Sequence, residues 1–400
     1  YPGIMVAFTG TLFGYIYTAI TGDSLGWAPL AVVCIVFALL SGGIAYRGVS
    51  GSTMTSIVIN VIQITTLIAV SIIFVIYRIT HSDGSFEAAS AGSVIIPQNF
   101  VYVLLQGTIA ILLLVGFESV TALGAEAKRP EKDIKRGVLL SLIIQGGICY
   151  MIEYFAANFT VGSSTISATA ADGSTIGGYS AAAVDPAPIG TMVKTVGDNM
   201  LGGIGQTLSL IVAATVLIAL IGTTLACLNT GVRVTYAMAK DKEMPAVLGL
   251  LHGRFATPHG GVWVLTGVSA LLGMYGVNPA SAHNVTRITL ASNTGTFIVY
   301  GMSCIIAITA FSHRHDRHIF KHYVIPALGV TMNVSMLIAI VYLAVASGGE
   351  SAADAIIALA IVGVWILAGI LWVLFNPSKQ GHKLIDASVA QREVRLSESV

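Results

Sequence analysis

The chain has 400 residues, 55% of them hydrophobic and 10% charged, with a formal net charge of +1 and a mean hydropathy of +0.84. Soluble domains carry about 25% charged residues, so this composition excludes a water-soluble globular protein and indicates a polytopic membrane protein. The near-neutral balance supplies no basic surface for nucleic acid.

The sequence opens at Tyr1 straight into an apolar run, without a secretory leader pattern, which predicts that further helices precede it in the natural protein. Ten apolar runs approach the ~20 residues that a spanning helix needs. They are 3–22, 27–46, 53–77, 100–122, 138–160, 204–238, 262–275, 286–311, 324–346 and 353–375. The expected architecture is therefore all-α, with ten visible transmembrane helices. Cys34, Cys149, Cys227 and Cys304 all fall inside these runs and lack disulfide or metal spacing. Of the 20 Lys and Arg residues, 17 fall in one alternating set of loops and the tail; the other set holds Arg78, Lys194 and Arg287. The positive-inside rule places the richer set and the C-terminus in the cytoplasm, and ten full spans would put Tyr1 there too.

In the third run Asn60 and Gln63 are three apart and share a helix face. The fourth run contains VGFESV, 115–120, where Glu118 sits at a depth at which lipid is expected. A charge at the centre of a bilayer costs about 2.5–3.5 kcal/mol on insertion scales, so Glu118 belongs in a bundle interior or a wet cavity. Gly116 weakens the helix beside it and admits a close approach to the backbone. These residues predict an interrupted membrane helix whose exposed amides and carbonyls line a substrate cavity, with Val115, Gly116, Phe117, Glu118 and Ser119 as the candidate contacts. Glu118 itself reads equally as a structural hydrogen-bonding group or as a gate or proton-coupling group, and Phe117 as a lid or as ordinary packing.

The fifth run carries a second carboxylate, Glu153, for which a wet or structural position near the outer interface is the favoured reading over titration. The segment 161–201, rich in Gly, Ser, Ala and Thr, reads as a flexible outer loop with a short helix at 188–196. In the sixth run Gly222, Thr223, Thr224, Asn229 and Thr230 crowd one helix; they suit Na⁺ ligation where half-helices meet, or simple close packing. In the eighth, LASNTGTF, with Ser292, Asn293, Thr294, Gly295 and Thr296, predicts another break or close approach. His313, His315, His318 and His322 read as a solvated turn rather than a metal centre, since alternate histidines with Arg and Lys between them lack orienting partners. No GxxxxGK[ST], HExxH or GxSxG pattern occurs, so an energy source must be an ion gradient or exchange.

Three stretches, taken together and in order, carry a family likeness: YRGVSGST at 46–53, GFESVTALGAEAKRPEKDIKRGV at 116–138 and RVTYAMAKDKEMPAVLGLLHGRFATPHGGV at 233–262. They resemble the amino acid–polyamine–organocation permeases, which share the inverted-repeat fold of the bacterial leucine transporter. The resemblance implies that the ten runs are the third to twelfth of twelve helices. Residues 1–80 would be the rest of the first repeat, 81–98 an outer loop, 99–311 the second repeat, 312–375 the last two helices and 376–400 a cytoplasmic tail. It implies a secondary transporter of an amino acid or related amine in the cytoplasmic membrane, working by alternating access, not an enzyme. The sixth-helix break falls on Val115–Ser119, and the partner break in the first helix lies outside this sequence. Some proton-coupled relatives place a lysine where Gln63 stands, and Gln63 cannot carry that charge. In sodium-coupled members hydroxyls near Gly222, Thr223 and Thr224 ligate the ion. Glu153 departs from the apolar residue usual in relatives. Na⁺ symport, H⁺ symport through Glu118 or Glu153, and exchange all stay open; no resident cofactor is implied. The rival reading is a non-transporting amine-sensing receptor or scaffold of the same fold. A channel would show a charged ring or filter sequence, and a membrane enzyme a catalytic pair for which only Glu118 and Glu153 offer themselves.

Overall fold

The computed structural model describes residues 1–48, 52–80, 95–96, 99–124, 127–160, 167–169, 174–185, 187–279, 283–312 and 318–375. His313, His315, most of 81–98 and the tail 376–400 lie outside the described residues. The chain runs α1 (Pro2–Thr21), α2 (Trp27–Arg47), α3 (Ser52–Thr80), α4 (Phe100–Ala110), α5 (Pro130–Thr160), β1 (Ser167–Thr169), β2 (Thr175–Gly177), α6 (Gly178–Val184), α7 (Pro188–Met200), α8 (Gly205–Lys240), α9 (His259–Gly276), α10 (Asn284–Ser312), α11 (Ile325–Ala346) and α12 (Gly349–Phe375).

Among the described residues eight helices are long and apolar enough to cross a membrane. The other two expected spans are also helical: Phe100–Leu113 is a shorter apolar helix, and α9 has 18 residues. Side chains such as Val345 and Trp365 are 82% and 75% exposed, a surface that suits lipid and not water.

Close backbone approach holds the first helices together. Lipid offers no hydrophobic drive for helix association, so small residues at the contacts supply van der Waals packing instead. On α1, Gly3 lies against Leu272 of α9 and Gly10 against Cys34 of α2 and Val277, while Gly273 and Gly276 of α9 receive Val6 and Ala7. Gly42 of α2 makes room for Thr266. Val6, Cys34, Phe37 and Ala38 form the buried centre of this group, packed on Leu220 and Ile221 of α8. α1 and α9 thus run side by side in the same direction, yet Gly3 is level with Leu272, in the last third of α9. Pro2 therefore lies nearer the end of α9 than its start at His259.

One expectation is corrected. The segment 161–201 was expected to be a loose loop with one short helix. Its described part forms a two-stranded antiparallel hairpin, pairing Ser167 with Gly177, followed by α6 and by an α7 longer than expected. Met192, Val193 and Val196 recur at helical spacing and are buried against Val70, Phe74 and Tyr77 of α3 and Val212 of α8. Gly, Thr and Lys between those positions dilute the apolar signal. Of the break or close approach expected at LASNTGTF, the close approach occurs: α10 runs unbroken there, with Asn293 and Thr294 buried.

The turn from α7 into α8 is tightly built. Asp198 accepts the Gly205 N–H at 3.0 Å and the Lys194 ammonium at 2.6 Å, and that ammonium holds the Asp198 carboxyl below the usual range. A Cβ on Gly205 would land on the Lys194 carbonyl oxygen. Gly205→Ala should therefore lower stability by about 1–3 kcal/mol, seen as a lower unfolding temperature in detergent. Gly253→Ala, with open space around its Cβ, should leave that temperature unchanged.

Candidate functional site

α4 keeps α-helical geometry only to Ala110, tightens into a 3₁₀ turn at Ile111–Leu113, and breaks at Gly116. Gly116 has φ +123°, a conformation that side-chain-bearing residues rarely adopt. A second 3₁₀ segment, Phe117–Leu123, follows. Across the break the Val115 N–H bonds the Ile111 carbonyl at 3.0 Å and the Ser119 N–H bonds that of Gly116 at 3.0 Å. The Glu118 carboxylate turns back to accept the Gly116 N–H at 2.9 Å. It thereby supplies an acceptor for an amide that the helix no longer serves.

Neighbouring helices close on the break. A Cβ on Gly146 of α5 would lie 3.6 Å from Leu114, and the Gln145 amide donates to the Leu113 carbonyl. The Phe117 ring sits 6.0 Å from Tyr300 of α10, tilted by 48°. The Tyr300 hydroxyl is buried, makes no hydrogen bond of standard geometry and lies beside the Glu118 carboxylate. Tyr1 of α1 and Cys227 of α8 are within electrostatic reach of the same carboxylate. Glu118 is thus the one acid at the meeting of α1, α4, α8 and α10 among the described residues. A hydrogen-bonded carboxylate ringed by hydroxyls and a thiol can receive a cationic amine or a proton without passing through lipid.

The other predicted residues scatter. Gly222 of α8 faces α3, with Ile59 3.8 Å from where its Cβ would be. Gln63 lies one turn along α3 from Ile59, and its carbonyl oxygen is buried without a hydrogen bond. Thr224 is fully buried and donates to the Leu220 carbonyl at 2.6 Å, while the exposed Thr223 donates to that of Ala219 at 3.2 Å. Residues two apart on a helix point about 200° apart, so Gly222 and Thr224 do not share a face. Glu153 is exposed on α5, seven residues beyond Gly146 and so about 10 Å along the axis from the break. Of the inner-loop histidines that are described, His322 stacks on Phe311 at 3.9 Å and its Nδ1 accepts the His318 N–H, which occupies that nitrogen.

Gln145 and Tyr300 escaped the sequence reading. Gln145 did carry a signal, a lone amide before two glycines in an apolar run. Tyr300 carried none. Apart from the break, a cavity of about 250 Å³ opens between α1, α8 and Ala187, lined by Phe8, Leu12, Tyr15, Val216 and Leu220.

The family model for amino acid permeases matches residues 3–384. The chain belongs to the amino acid permease family. Members of that family are transporters, not enzymes. Among curated proteins, the branched-chain amino acid permease BcaP of Lactococcus lactis subsp. cremoris (strain MG1363) is 29% identical over 253 residues, 61% of this chain and 47% of the relative. The methylthioribose transporter of Bacillus subtilis (strain 168) is 28% identical over 284 residues, 70% of this chain and 54% of the relative. BcaP of Bacillus subtilis (strain 168) is 24% identical over 229 residues, 57% of this chain and 42% of the relative. This permease chain therefore spans about half the length of the curated relatives that it matches.

Proposed function

We propose that this permease carries an aliphatic, branched-chain amino acid across the cytoplasmic membrane by alternating access, with the Lys- and Arg-rich loops and the C-terminus inside. The break at Gly116 carries the reading. It takes main-chain amides and carbonyls out of the helical ladder, with the Gly116 N–H turned to Glu118; irregular backbone at membrane depth is tolerated only where it is buried in protein or faces a cavity, and such groups suit the charged ends of an amino acid. Glu118 is the candidate partner for the amine, and Val115, Phe117 and Ser119 frame it. Two of the three relatives named above transport branched-chain amino acids by name, and the cavity between α1 and α8 is lined mainly by apolar side chains. In this reading residues 1–80 and 99–311 belong to two inverted repeats, and a bundle that includes residues 100–160 rocks against a scaffold of the other helices around the site.

The test is uptake into proteoliposomes by the protein in its natural full length. Labelled leucine, isoleucine, valine, lysine, putrescine and methylthioribose would be offered under a Na⁺ gradient, an H⁺ gradient and substrate preloading in turn. Saturable uptake of leucine, isoleucine or valine is expected. Selective uptake of methylthioribose would overturn the substrate class, and no uptake by folded protein would overturn transport. Na⁺-driven uptake lost on Thr223→Ala would assign the ion to α8; H⁺-driven uptake lost on Glu118→Gln would assign the proton to the break.

A further inference from the structure

Asn293 is fully enclosed near the break, with 0% exposure, and both ends of its carboxamide are used. Its amide donates to the Thr108 carbonyl at 2.8 Å and reaches that of Ile109 at 3.4 Å. Its carbonyl accepts the Tyr1 hydroxyl at 3.0 Å. Tyr1 is held in turn by Thr296, 2.7 Å away. One side chain on α10 thus ties α1 to the last α-helical turn of α4. Its neighbours behave differently: Thr294 and Thr296 also bond back to carbonyls of their own helix.

The position matters because of what α4 lacks there. Thr108 and Ile109 precede the switch to 3₁₀ geometry at Ile111, where carbonyls lose their regular i+4 donors. A buried carbonyl left without a donor is costly, so the Asn293 amide stabilises this particular unwinding. Released from Asn293, the Thr108 carbonyl, the Tyr1 hydroxyl and the amide itself would all need new partners in a dry interior. An assembly of this kind favours one discrete arrangement over intermediates.

We infer that Asn293 is a positioning residue that latches the outer half of the broken helix α4 to α1 and α10, and that the latch must open for the break to change shape during transport. The inference rests on the transport reading above and adds to it the group that sets the equilibrium between the two arrangements.

The experiment uses the natural full-length protein, without its native cysteines, carrying Leu113→Cys on the exposed side of the break. Leucine uptake and the rate of labelling by a membrane-impermeant maleimide are measured together. Asn293→Ala should raise the labelling rate about fivefold and lower Vmax about tenfold, with KM changed less than about threefold. Asn293→Asp keeps the acceptor for Tyr1 but loses the donor to Thr108, so it should behave like Asn293→Ala. Tyr1→Phe keeps the Thr108 bond and should fall between them and the parent. Folded Asn293→Ala protein with parental labelling and Vmax would overturn the latch. So would a loss of protein with unchanged activity per folded molecule. If the parent itself carries no amino acid, the transport reading fails, and the labelling rates still decide the latch.

Discussion

Gly116→Ala should reduce uptake at least tenfold while leaving the amount of folded protein unchanged. A φ of +123° is outside the range of residues that carry a Cβ, so alanine must either strain the backbone or move it. Backbone strain of this kind costs about 1–3 kcal/mol. Among the described residues, the two chain neighbours aside, no atom lies within 4 Å of the added Cβ, so the penalty is conformational and not a clash. The chain relieves it by rotating toward helical geometry, which withdraws the Gly116 N–H from Glu118 and, on the proposed reading, removes the main-chain groups that receive substrate. Gly147→Ala is the control: it sits in α5 with open space around its Cβ and ordinary φ, and should transport as the parent does. Glu118→Gln separates charge from hydrogen bonding, because a glutamine oxygen can still accept the Gly116 N–H. Normal uptake by Gly116→Ala would mean that substrate does not use the break.

The break was legible in the sequence because a carboxylate beside a glycine in an apolar run has few physical solutions. Its first neighbours were less so. Asn293 was visible as a polar residue that marked a break or a close approach, but not which helix it approaches: its amide serves a carbonyl 185 positions away. Period and composition report on the element that a residue belongs to, not on the one it touches. Tyr300 reads as any interfacial tyrosine until α4 is laid beside α10. The apolar face of α7 was hidden for a different reason: five buried or half-buried apolar positions among Gly, Thr and Lys look like a polar loop until α3 and α8 supply something to bury them against. Conversely, Gly222 and Thr224 looked like one ligand cluster in the linear sequence, and helical rotation separates them.

The same limit hid a buried ion pair. Asp354, on the second turn of α12, is 2% exposed. It accepts the Arg287 Nε of α10 at 2.8 Å on one oxygen and faces the His283 Nδ1 at 2.7 Å on the other. Arg287 also bonds Asn284 at 3.2 Å and reaches Glu350 at 3.4 Å. His283, Glu350 and Asp354 bring ligand atoms within 4.8 Å of one another, as a divalent cation would need. Arg287 occupies an oxygen of Asp354 and approaches one of Glu350, which makes the group an ion-pair staple. Beyond it, α12 meets α10 through Leu290, Ala291, Ala358 and Val362, small or apolar contacts with no directional preference in lipid. Arg287 and Asp354 therefore fix where α12 docks. Asp354→Ala should cost about 3–5 kcal/mol, because it leaves the Arg287 cation buried without its carboxylate. The unfolding temperature in detergent should fall by roughly 5–10 °C. Arg287→Leu should cost a similar amount by stranding Asp354. The double variant Arg287→Leu, Asp354→Leu removes both charges, and should recover most of the loss. Additive losses in the double variant would instead mean that each residue acts through contacts of its own, and that the pair does not hold α12 in place.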